Sequence, residues 1–155
     1  MEITELKSHL FALCHEFVKN RIANLNDAIA LSQESANQES KSTAGDKHDT
    51  SRAMMQLEVE RLSSQLATAE KMLQELNHAE HFQAEQNSIA GKIIHTENAN
   101  YFVAIAAGKV SVADNDYFVV SADSPIIAAI KKRRKTEKGI FFELNGKQIR
   151  LLEIA

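Results

Sequence analysis

Apolar residues recur at two different periods along this chain, and the change of period divides it in two. Leu6, Leu10, Leu13 and Phe17 step by four, three and four, the spacing of one helical face. After a polar stretch at Asn20 and Asn24, Ala28 and Leu31 resume the stripe. A second run is more regular. Met55, Val59, Leu62, Leu66, Ala69, Leu73 and Leu76 alternate four and three, the a/d seam of a coiled coil or long paired helix. Met54 and Met55 are read together as seam packing.

Between the runs, residues 33–46 are mostly small and polar and hold Gly45, the single glycine before Gly91. Neither seam can remain exposed, so the second helix is expected to fold back on the first, turning near residue 45. Arms of about 35 residues at 1.5 Å rise would make a rod on the order of 50 Å long. The alternative is pairing of helices from two chains into a dimer. The short turn and matched arms favour a hairpin within one chain, and hence a monomer.

The second half reads as strands. Residues 101–105, 109–112, 117–120, 140–144 and 148–152 are rich in β-branched and aromatic side chains, with turn signals between them. Asn145-Gly146 marks a two-residue hairpin. Ser124-Pro125 has the form of an N-cap with Pro at the first helical position, opening a short helix through Ile126, Ile127 and Ile130. The expected architecture is α+β. A helical coiled-coil hairpin over 1–80 is followed by a connection at 81–90, which Phe82 could dock. An antiparallel sheet of four to six strands with one short helix then fills 91–155.

Composition narrows the class. The chain is 44% hydrophobic and 25% charged with one proline, which excludes a disordered or low-complexity protein. No run approaches the roughly 20 apolar residues of a membrane span, and the first residues lack the basic region of a signal peptide. The lone Cys14 cannot form an internal disulfide. A soluble cytoplasmic protein with no membrane partner is therefore expected. Charge is uneven: residues 1–88 hold 8 Lys/Arg and 14 Asp/Glu, a net of −6, whereas residues 89–155 hold 10 and 7, a net of +3. Two surfaces with different partners fit this split better than nucleic acid wrapped by the whole chain.

The expected turn carries the candidate chemistry. Asp46 and Asp49 are three apart where the second helix begins, so both carboxylates can share one side of its first turn. One role is capping of free N–H groups in the field of the helix dipole. The other is partial ligation of Mg²⁺, which one or two carboxylates bind alongside waters and a partner's ligands. Arg52 could contact an RNA phosphate or pair with Asp49. Lys131-Lys132-Arg133-Arg134-Lys135 is either the solvated C-terminal end of the short helix or a contact for an acidic surface or nucleic acid. His15, His48, His78, His81 and His95 show no zinc spacing, and Cys14 and His15 point to different sides of a helix. No phosphate loop, serine elbow or zincin motif is present.

Gly45-Asp46-Lys47-His48-Asp49, set between two long helical arms, resembles the tip of the GreA/GreB transcript-cleavage factors. There the pattern is Gly-Asp, two residues, Glu, then Asn-Ala-Glu-Tyr. The stretch Ser121-Ala122-Asp123-Ser124-Pro125-Ile126 and the closing Leu152-Glu153-Ile154 are similar to that family's Ser-Pro helix start and terminal strand. In order and arm length the resemblance covers nearly the whole chain. It implies an FKBP-like C-terminal domain docked at the rim of the secondary channel of bacterial RNA polymerase, with the hairpin inserted. Asp46 and Asp49 would help hold the second Mg²⁺ of the polymerase active centre and promote cleavage of backtracked RNA. Mg²⁺ would be bound only within the polymerase, and the isolated protein would be neither an enzyme nor a metalloprotein. Lys47, His48, Arg52, Ser124, Pro125, Lys131, Lys132, Arg133 and Arg134 become candidates for contacting core polymerase or the nascent RNA 3′ end. The sequence departs from the family pattern beside the chemistry. Asp49 replaces Glu, Thr50-Ser51-Arg52 replaces Asn-Ala-Glu, and Ala53 stands where Tyr is usual. A factor that occupies the channel without stimulating cleavage is thus the alternative, and a coiled-coil structural adaptor is a further one. Prolyl isomerase activity is not expected, because the β-half shows no aromatic-lined pocket in its pattern.

Overall fold

Two 38-residue helices, α1 (Ile3–Ser40) and α2 (Gly45–Phe82), lead the chain and pack closely as a hairpin. The computed structural model describes the backbone of residues 1–40 and 45–155, and the side chains of 1–38 and 49–155. The strands are β1 (Ile93–Thr96), β2 (Asn100–Val103), β3 (Gly108–Val112), β4 (Asn115–Val120), β5 (Arg134–Thr136), β6 (Gly139–Leu144) and β7 (Lys147–Ile154). A short helix α3 (Pro125–Lys131) lies between β4 and β5 in the chain. The α+β class and the hairpin agree with the pattern of apolar residues.

Packing divides the chain elsewhere than the sequence periods do. Residues 17–73 form one compact unit, and residues 1–16 join 74–155 in the other. The expected break at 81–90 is where helix gives way to sheet. The apolar positions at the start of α1 and end of α2 nevertheless belong with the strands.

In the first unit the inner stripe of α1 is Val18, Ile22, Leu25, Ile29, Ser32 and Ala36, all buried or half-buried and alternating four and three. That of α2 is Met55, Val59, Leu62, Leu66, Ala69 and Leu73, as the sequence predicts. Four expected seam residues fall outside it: Phe17 and Ala28 are half-buried one position off the stripe, and Leu31 and Met54 are exposed. Leu31 is 66% exposed, because Ser32, one residue on and about 100° round the helix, takes the inner position. Met54 is also 66% exposed, since it and Met55 are adjacent and cannot face the same way.

The other unit is built on a seven-stranded sheet in the order β3-β4-β2-β1-β7-β6-β5. It is mixed rather than antiparallel: β2 and β4 run parallel, with Phe102 level with Val119, while the other neighbours are antiparallel. Two strands, β1 and β5, arise where no strand was expected. Register sorts the central strands into two faces. On one, Ile94, Val103, Phe142, Ile149 and Leu151 meet Ile126, Ile127 and Ile130 of α3. On the other, Phe102 meets Phe11 of α1 edge-on, ring centroids 4.9 Å apart. Leu10, Cys14, Leu76 and Ala79 are buried in the same unit. Burial on both faces explains why Ile93 and Ile94 are both fully covered. The β6–β7 turn is the predicted Asn145-Gly146, both at positive φ, and the β3–β4 turn places Ala113 and Asp114 there instead.

Candidate functional site

Gly45 opens α2, so positions 46 and 49 fall in its first turns, as the spacing requires. The side chains of Asp46, Lys47 and His48 lie outside the described residues. Asp49 and Arg52 are described, and both are exposed. Among the described residues no ion pair joins them. Further along α2 the pair that forms is Glu58 with Arg61, also three apart, which draws the Glu58 carboxyl below its usual range. No group of three His, Cys, Asp or Glu side chains able to hold a metal occurs among the described residues.

Ser124, Pro125 and the basic run belong to the sheet unit, apart from the tip residues. Pro125 takes the first position of α3, and Ser124 the N-cap, with an extended backbone. The cap is made by the main chain only. The Ser124 carbonyl accepts from Ala128 N at 3.0 Å, while its Oγ bonds no helix N–H and is buried with no partner among the described residues. The N-cap position and the Pro at the start of α3 are as expected.

The basic run is not simply the end of a helix. Lys131 closes α3, Lys132 is its C-cap, and Arg134 and Lys135 already belong to edge strand β5. All five side chains are exposed, and none joins an ion pair among the described residues. The turn sends alternate residues to two clefts. Lys132, Arg134 and Thr136 border a polar groove of about 890 Å³ over β6 and β7, with Phe141, Glu143 and Gln148. Lys131 and Arg133 border a second cleft of about 470 Å³ with His78, Ser88 and Lys92.

No local pattern marks this second cleft, because its residues are scattered over α2, the connection, α3 and β7. The nearest signal was Gly91, just before β1. Its φ is +79°, and an added Cβ would lie 2.7 Å from the Ala79 carbonyl oxygen and 2.5 Å from Gln83 Cβ. Only glycine lets the chain pass this close to the end of α2. Lys92 then donates from Nζ to the Gln83 carbonyl at 2.6 Å.

His15 Nε2 lies 2.6 Å from Glu80 Oε2 and so ties α1 to α2 near the sheet. The rings of His78 and His81 touch Phe82, tilted at 4.5 Å and edge-on at 4.6 Å between centroids. Burial pushes the Cys14 thiol up to about 12, far from a nucleophile's range. No helix among the described residues is long and apolar enough to cross a membrane. No protein-family model, curated protein or solved structure matches the chain.

Proposed function

We propose that this chain is a Gre-type factor of the cytoplasm that binds bacterial RNA polymerase. In this reading the helical hairpin enters the secondary channel, an FKBP-like C-terminal domain docks at its rim, and one copy acts alone. The observation that carries the reading is the placement of Gly45-Asp46-Lys47-His48-Asp49 at the start of the second of two 38-residue helices. At 1.5 Å per residue each helix is roughly 57 Å long, a reach suited to a deep channel. Asp49 is exposed, and three-residue spacing lets Asp46 share its side of the helix. The two carboxylates fit part of an Mg²⁺ shell, and the polymerase would supply the rest. A second Mg²⁺ in that active centre activates the water that attacks backtracked RNA. The chain's own part is to place two negative charges there, so it carries no independent active site. Lys47, His48 and Arg52 flank the acids and would meet the RNA 3′ end. Ser124, Pro125 and the basic residues 131–134 would contact the polymerase surface.

The departures at Thr50-Ser51-Arg52 and Ala53 favour a second reading, occupancy of the channel without cleavage. One assay separates the two. Purified protein is added to stalled, backtracked elongation complexes and RNA shortening is followed. Stimulated cleavage that is lost in Asp46→Asn, with binding retained, supports the cleavage factor. Binding with no stimulation supports the modulator, and no binding to core polymerase removes both.

A further inference from the structure

We propose that the cleft bordered by His78, Ser88, Lys92, Lys131 and Arg133 is a binding site for a small phosphate-bearing molecule of the nucleotide class. It lies in the sheet unit beside the end of α2, and it shares Lys131 and Arg133 with the surface proposed to meet the polymerase.

Three fixed cations, Lys92, Lys131 and Arg133, and one imidazole border a single cleft that no Asp or Glu side chain lines. Among the described residues none of the three cations joins an ion pair. Lys7 adds to the crowding: burial, and then the like charge of Lys92, hold its ammonium below the usual value. Bringing like charges together without a counter-ion costs free energy that an anion would return. The neighbouring groove over β6 and β7 is lined by Glu143, which would repel an anion, so the acid-free cleft is the better host.

Arg133 is held at its guanidinium, whose Nη1 donates to the Ile130 carbonyl at 3.1 Å, and Lys92 is held at its ammonium by the Gln83 carbonyl. These anchors restrict both side chains before any ligand arrives, which lowers the entropy cost of binding. Each keeps further N–H donors available, since guanidinium has five and ammonium three. Ser88 and Asn87 border the same cleft and offer neutral hydrogen bonds. Arg with Lys is the pairing that recognises phosphate oxygens, one by a planar fork and one as a point charge.

Shape and polarity set the size of the ligand. The volume of about 470 Å³ is within the range of small-molecule sites. Ile89, Ala90, Ala122 and Ile154 give it an apolar part beside the cations, room for a base or similar ring next to the phosphates. A polymer needs a continuous track, and Lys132 and Arg134 line the other groove instead.

Isothermal titration of the full chain with ADP, and separately with inorganic pyrophosphate, tests the assignment. ADP is expected to bind with one-to-one stoichiometry, more tightly than pyrophosphate, because the apolar part adds contacts. Lys131→Gln/Arg133→Gln, both at exposed positions, should weaken binding about tenfold or more, the loss expected for two charge-assisted bonds. Lys132→Gln/Arg134→Gln removes the same net charge from the adjacent groove and should leave affinity within about twofold. Absence of binding, or an equal loss in both double variants, would overturn the site. An equal loss would mean unspecific attraction to a basic surface. A single-stranded RNA oligomer that binds while ADP does not would also overturn it, by making the surface a polymer contact.

Discussion

Cys14 shows most simply how burial sets chemistry in this chain. It is 1% exposed, and burial alone raises its thiol to about 12, from roughly 8.5 in an unfolded chain. A raised folded value means the contribution to stability is complete below about pH 8.5 and is lost as pH climbs towards 12. Denaturant melts from pH 8 to 11 should show stability falling for the wild type. Tyr101 and Tyr117, also raised by burial, act in the same direction. The fall should therefore be shallower, not absent, in Cys14→Ala. Equal slopes in the two proteins would contradict the assignment. Gly91 makes a second residue-scale prediction. Gly91→Ala combines positive φ with a clash against backbone, so it should cost at least about 2 kcal/mol in a chemical melt. A change below about 0.5 kcal/mol would show that the connection can move away from α2.

At the scale of elements, the helices were legible because a face repeated at a mean of 3.5 residues is hard to produce by accident. What the pattern misjudged was which apolar residues belong to that face. Leu31 was assigned to the seam and stands outside it, while small residues such as Ser32 and Ala36 lie within it. Hydrophobicity marks a seam only where the partner leaves room for a large side chain. Leu31→Lys should therefore alter stability by no more than about 0.5 kcal/mol, whereas Leu62→Ala should cost about 2–5 kcal/mol. Thermal and urea melts of the two variants distinguish them, and similar losses would place Leu31 back in the seam. Among the strands, β2, β3, β4, β6 and β7 were visible from β-branched and aromatic runs and turn residues. The four residues of β1 carry too short a signal, although they lie at the centre of the sheet. Strand β5 is Arg134-Lys135-Thr136, which reads as a charge run. It is an edge strand, and exposed Arg and Lys there discourage pairing with another chain. The parallel β2–β4 pair was beyond local pattern, since orientation depends on the path between strands. The same holds for the cleft at Lys92, whose residues come together only through the fold.

At the scale of the whole molecule, sequence period and packing draw different borders. The hairpin's residues 17–73 make one unit, and the roots of both helices are part of the sheet unit. One hairpin per chain predicts a single species near 17.3 kDa in sedimentation equilibrium, and a stable dimer would favour the coiled-coil adaptor. The central claim is that the start of α2 reaches the catalytic centre of RNA polymerase. It can be tested directly by attaching an iron chelate to Ala53→Cys, an exposed position beside the candidate acids. Cys14 is buried and protonated, so the label should go to the new thiol alone. Hydroxyl radicals generated in a complex with backtracked polymerase should cut protein around the active centre and RNA near its 3′ end. Cuts confined to the outer surface of the polymerase would contradict the account.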